Sequence, residues 1–243
     1  MRGPLTPYTA LVPHLVRVLP RVPMALGAGP ALTVCVLPLA LSTQLEPGDA
    51  ALLLRVAAVL CVVPVAFALD DPAANTTATV PYPPAVRRLL RLALLCAPLA
   101  VIWTACGFLL KAAMHPDDRV ALPIAGLAPE AAALGAAAIL LSALGLRITD
   151  GVRGSTLAAP GSVLLPLVLV LSPAREQLFA VPYGDTWASS RWAWASALAV
   201  AAGVAAVLLR QPRLTRHHRS SLTHTAPGPS PSPSGDPHEA IRP

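Results

Sequence analysis

The chain of 243 residues is 55% hydrophobic and only 12% charged, with a formal net charge of +6. Soluble domains carry roughly 25% charged residues, and a soluble core of this size could not hide so much apolar surface, so lipid is the expected solvent. The positive excess reads as topological charge beside anionic headgroups and gives no reason to expect a nucleic-acid partner. Cys35, Cys61, Cys96 and Cys106 lie singly in apolar segments, with neither zinc-site spacing nor the density of a disulfide framework, and read as small core hydrophobes.

Three regions follow from composition: a cytoplasmic or interfacial leader over 1–24, a transmembrane domain over 25–210, and a tail over 211–243. In the leader, Leu11, Leu15, Val16, Val18 and Leu19 beside His14 and Arg17 fit a short segment lying along the inner membrane surface. An unstructured proline-rich leader fits equally. A cleaved signal sequence fits less well, because no small-x-small site follows the first apolar run.

Six apolar windows approach the roughly 20 residues needed to cross a ~30 Å hydrocarbon core: 25–45, 50–69, 89–114, 128–146, 161–181 and 188–209. Each should be a helix, since a single segment in lipid must satisfy its backbone internally; the short alternating strands of a barrel are missing. The expected fold is therefore all-α, an integral membrane bundle of six helices. Placing both termini inside puts Arg2, Arg17, Arg21, Arg87, Arg88, Arg91, Arg147, Arg153, Arg210, Arg213, Arg216, Arg219 and Arg242 in the cytoplasm. Lys111, Arg119, Arg175 and Arg191 then fall near the outer face. Arg55, near the start of the second window, is close enough to the outer surface to snorkel.

The stretch "LDDPAANTTATVPYPPAVRRLLR", 69–91, is the longest expected cytoplasmic loop. Asp70, Asp71 and Pro72 stop the second helix, and Arg87, Arg88 and Arg91 mark the inner headgroup layer. Between them Pro81, Pro83 and Pro84 stiffen an extended stretch around Tyr82, a docking surface that loses little conformational entropy on binding. A plain connecting loop is the competing reading. Asn75-Thr76-Thr77 matches a glycosylation sequon, but on the cytoplasmic side it would not be modified.

In the fourth window Ala131, Gly135, Ala138, Ser142 and Gly145 recur at spacings of four, three, four and three. That lines small residues on one face, a helix-packing seam. In the fifth, the apolar core over 163–171 is too short to cross and meets "SPAREQLF". Ser172 can cap a new helix with Pro173 at its first position. A broken fifth helix is expected, with Arg175, Glu176 and Gln177 near the outer surface and Leu178, Phe179, Val181 and Tyr183 dipping back. The alternative is a short tilted span leading into an ordinary loop. Trp187, Trp192 and Trp194 would form the aromatic belt of the sixth helix.

Catalytic motifs are missing: no Walker A pattern, no paired-glycine nucleotide loop, no HExxH and no nucleophile elbow. "TDGVRGS", 149–155, is only faintly similar to the metal-binding aspartate motifs of lipid-headgroup enzymes and lacks their further aspartates. His217, His218 and His224 lie in a tail that turns into "APGPSPSPSGDP", which cannot bury a core and should be disordered. No enzyme activity, bound cofactor or metal is expected.

Six helices with both ends inside, an interfacial leader, a substantial second-to-third loop and a broken fifth helix before a Trp-flanked sixth together resemble the membrane subunit of type-2 ABC exporters. One Lys among 18 basic residues, with abundant Ala and Pro, suggests a high-GC bacterial source. The resemblance implies a multi-pass permease of the bacterial cytoplasmic membrane, energised by a separate ATPase subunit that supplies the ATP site. Pro81, Tyr82, Pro83, Pro84, Val86, Arg87 and Arg88 would form its coupling region, although this stretch is shorter and richer in proline than the family's. A second permease copy, identical or not, would complete the path. Ser172, Pro173, Arg175, Glu176 and Phe179 would belong to the outer re-entrant segment. Sparse intramembrane charge favours a hydrophobic or amphipathic cargo. A secondary transporter is the alternative, on a weak echo between "PVAFALDDP" and "PLVLVLSPA". A non-transporting immunity or scaffold protein is the third reading.

Overall fold

The computed structural model of the protein describes residues 21–70, 84–149 and 154–210. Its elements, in order, are α1 (Arg21–Ala40), α2 (Pro47–Val62) continued by a 3-10 segment (Val63–Phe67), and α3 (Pro84–Ala113). A 3-10 turn (Pro116–Ala121) then leads to α4 (Ile124–Ile148), α5 (Ser155–Leu171), α6 (Arg175–Leu178) and α7 (Trp187–Arg210). Among the described residues there is no strand, only an isolated bridge between Leu45 and Met114. Five helices are long and apolar enough to cross a membrane; α5, with 17 residues, is shorter. At 1.5 Å per residue α5 reaches about 26 Å.

Proline decides where several of these helices begin and change. Pro47 and Pro84 open α2 and α3, at first-turn positions where the missing N–H costs nothing. Pro64 sits where α2 tightens into its 3-10 continuation. Pro30, Pro38, Pro98, Pro129, Pro160 and Pro166 lie inside helices, as membrane-type helices tolerate when neighbours satisfy the freed backbone.

The expected windows are displaced accordingly. The first helix ends at Ala40 instead of 45, because Ser42 turns the chain at a positive φ of 52°. The third begins at Pro84 instead of 89, so Val86, Arg87 and Arg88, expected to precede the span, already belong to its helix. The fifth begins at Ser155 and stops at Leu171, well short of 181. The last, Trp187–Arg210, lies within one residue of its expected ends.

The helices pack as two groups. α1, α2 and α3 contact one another, α4 packs most extensively on α7 and α5, and the groups meet through α2, the 3-10 segment, α4 and α5. The chain alternates between two ends. One carries the turn after α1, the 3-10 turn and the 172–186 connection; there the Leu45 N–H donates to the Ala113 carbonyl at 3.2 Å. The other carries Asp70, the start of α5 and the ends of α4 and α7, where Arg147 Nη2 donates to the Leu208 carbonyl at 2.9 Å.

Polar bonds tie the two groups at this second end. Ser142 Oγ on α4 donates to the Ala66 carbonyl of the 3-10 segment at 2.9 Å. Asp70 Oδ1 accepts from the Gly154 and Ser155 backbone N–H groups at 2.7 and 3.0 Å. A residue expected only to stop the second helix thus caps the fifth, since a carboxylate satisfies the orphan donors of a helix start.

The stripe of small residues on α4 is not uniform. Ala138, Ser142 and Gly145 are buried, whereas Ala131 and Gly135 are half-buried. A Cβ on Gly145 would collide with the Gly154 carbonyl oxygen, whereas one on Gly135 would meet nothing within 4 Å. The seam therefore closes only in its second half, against the backbone that begins α5. Gly145→Ala should destabilise the bundle by about 1–3 kcal/mol through overpacking. Gly135→Ala should be neutral or stabilising by up to ~1 kcal/mol, the helix-propensity difference. Unfolding midpoints in detergent, measured on both variants, check this pairing.

Candidate functional site

A lone charge inside an apolar helix must find a partner within the bundle or reach the surface. Arg55 is the sole charged residue of the second apolar window and Glu130 of the fourth, and their signs are opposite. Arg55 lies eight residues into α2 and Glu130 six residues into α4, about 12 and about 9 Å along the helix axes. They meet: Arg55 Nε donates to Glu130 Oε1 at 3.1 Å and to Oε2 at 3.2 Å. The Glu130 side chain is 5% exposed and that of Arg55 14%. Arg55 does not snorkel away, because a buried carboxylate within reach offers more than water at the end of a long side chain.

The same guanidinium holds a second element. Arg55 Nη2 donates to the Ala180 carbonyl at 2.9 Å, and the Phe179 ring lies 5.5 Å from Arg55 Cζ, within cation–π reach. Phe179 in turn tilts against Trp194 of α7 with ring centroids 5.7 Å apart. The chain from Ser172 to Ala180, the strap, is thereby drawn over the Arg55–Glu130 pair. Its other attachment is to α7: Ser190 Oγ and Trp194 Nε1 both donate to the Leu178 carbonyl, at 2.6 and 2.8 Å. Two donors on one carbonyl and a guanidinium on another satisfy backbone oxygens that the short helix leaves without a partner.

The residues assigned to the re-entrant segment fall on this strap, in altered roles. Ser172 does not cap the next helix: its Oγ donates back to the Leu169 carbonyl at 2.7 Å and so finishes α5. α6 starts after Ala174 with no side-chain cap. Pro173, Arg175 and Glu176 are exposed, and Arg175 and Glu176 approach only to 4.0 Å, which contributes little in water. Phe179 is half-buried against the guanidinium. The coupling stretch is not brought to this site. Pro84, Val86, Arg87 and Arg88 lie in the first turns of α3, while Pro81, Tyr82 and Pro83 fall outside the described residues. The leader over 1–20, most of "TDGVRGS" and the tail over 211–243 also fall outside them.

No family model, curated protein or solved structure matches the chain. The site therefore stands on its own geometry. Among the described residues no group of three His, Cys, Asp or Glu side chains could hold a metal ion. The chemistry on offer is that of a shielded charge: a guanidinium that one carboxylate neutralises and one neutral carbonyl completes. Trp103 supports it from below, donating its Nε1–H to the Leu54 carbonyl at 3.2 Å and fixing the turn of α2 that carries Arg55.

Glu130, Ser190 and the Ala180 carbonyl had no place in the sequence reading. The opposite lone charges in two apolar windows were the available signal for the pair. Nothing in the local sequence marks a backbone carbonyl as the third partner. Glu130→Ala or Arg55→Ala should cost about 3–5 kcal/mol, because each strands a buried charge. The volume-conserving double variant Arg55→Met with Glu130→Leu should be close to neutral. Thermal or denaturant unfolding of the three variants in detergent checks the pattern.

Proposed function

We propose that the chain is the membrane permease of an ATP-driven exporter of the type-2 ABC kind, moving a hydrophobic or amphipathic cargo. The observation that carries this reading is the strap: a helix of 17 residues ends at Leu171, and a short helix over Arg175–Leu178 returns to the bundle before α7. In that architecture the six apolar helices, α1 to α5 and α7, cross the bacterial cytoplasmic membrane. Both termini lie inside, and α6 is the outer re-entrant element.

The permease holds no nucleotide or catalytic site of its own. ATP hydrolysis belongs to a partner ATPase that docks below the loop between α2 and α3, on Pro81 to Arg88, and a second permease copy completes the cargo path. Val163, Leu164, Leu167 and Val168 on α5 and Val200, Val204 and Val207 on α7 face outward, which suits lipid or that second copy.

One observation favours the secondary transporter as a second reading. The charged pair at Arg55 and Glu130 lies within the apolar helices and joins the two helix groups, an arrangement that ion-coupled carriers use.

A tagged chain purified from its native membrane is expected to bring an ATPase subunit with it. Replacing Tyr82 and Arg87 by alanine should abolish ATP-dependent efflux of the cargo with expression unchanged. Purification without an ATPase, together with full transport in the double variant, would end the coupling proposal. Transport that survives ATP depletion and collapses with a protonophore would select the carrier reading instead.

A further inference from the structure

The strap is held in two unlike ways. Toward α7 it is tied by Ser190 and Trp194, both on the Leu178 carbonyl, from helix positions 12 and 16 residues along the same chain segment. Toward α2, in the other helix group, it is tied only through Arg55, by one hydrogen bond to the Ala180 carbonyl and the face of the Phe179 ring. Its apolar anchorage is small: Ala180 is buried, Leu178 and Phe179 are half-buried, and Arg175, Glu176 and Gln177 are exposed. Segments with few buried contacts and a short set of backbone hydrogen bonds open locally at low cost.

The strap also has breaks at both ends. Pro173 follows the end of α5. Tyr183 adopts a positive φ of 62° in the turn closed by the Gly184 N–H on the Val181 carbonyl at 3.0 Å, a left-handed conformation that a bulky residue resists.

We infer that Arg55 is a latch: the guanidinium, oriented by Glu130, holds the strap shut against α2, and releasing the Ala180 carbonyl lets the strap swing away while it stays attached to α7. Glu130 is the positioning residue, because bonding Nε through both carboxylate oxygens aims Nη2 at the strap. The bond that breaks is charged on the donor side only, whereas those to Glu130 join two ions, so opening leaves the ion pair intact. Polar ties at the opposite end, from Ser142 to Ala66 and from Asp70 to Gly154 and Ser155, do not depend on it. Opening is therefore confined to the strap end. The latch goes beyond the export reading and does not require it.

Hydrogen–deuterium exchange of the full chain in lipid nanodiscs tests the latch without any cargo. In the wild type, the amides of Gln177, Leu178 and Phe179 should exchange by local opening, faster than those in the middle of α4. Arg55→Gln should speed exchange across 175–181 by about tenfold or more, as loss of one hydrogen bond from a charged group implies, with α4 unchanged. Should Arg55→Gln loosen the whole bundle, the double variant Arg55→Met with Glu130→Leu decides: its unfolding midpoint should match the wild type while the strap still exchanges fast. Wild-type exchange of 175–181 in that double variant would overturn the latch. So would a wild-type strap that opens only together with α4.

Discussion

Two opposite charges buried among apolar helices constrain where everything around them can lie. A guanidinium or a carboxylate alone at the depth of Arg55 or Glu130 would be expensive, so α2 and α4 must approach at one register and no other. Because the guanidinium has donors to spare after meeting Glu130, it also recruits the Ala180 carbonyl. That third bond, with those of Ser190 and Trp194 to the Leu178 carbonyl, sets the path of the chain between α5 and α7. The pair is thus a specification more than a source of stability, since an apolar pair of similar volume would hold the helices about as well.

Around that constraint the bundle divides into the α1–α3 and α4–α7 groups, each tight within itself. One apolar core runs through both, and the polar joints between them are few. Ser142 and Asp70 bind backbone groups at one end, and Arg55 binds a side chain and a carbonyl at the other. Apolar packing alone would leave the two groups free to slide, for lipid tails are as apolar as the side chains they replace. Directional bonds at both ends remove that freedom.

Much of the helical layout was legible along the chain. The window expected at 188–209 differs from α7 by one residue at each end, because tryptophans and arginines bracket a continuous apolar run. The fourth window likewise lies inside α4. The ends set by turn chemistry were harder to read: Ser42 turns the chain, and the first helix ends at Ala40, five residues before the expected end at 45. Ser172 looked like a cap for the helix ahead because Ser-Pro is a common start signal, yet its hydroxyl turned back to Leu169. The seam on α4 was legible as a stripe, but Gly135 and Gly145 carry the same letter, and only the second has a backbone pressed against it.

The sequence by itself determined that this chain is built of apolar helices and where most of them run, because hydropathy, proline and charge act within a few residues of one another. Tertiary structure alone decided that Arg55 turns inward to Glu130, 75 residues away, and that Asp70 caps a helix beginning 85 residues later. It also decided that the Leu178 and Ala180 carbonyls serve as anchor points. A charge states in sequence that it needs a partner, but which partner it finds depends on helix register. Backbone carbonyls, identical at every residue, state nothing until the fold brings a donor to them.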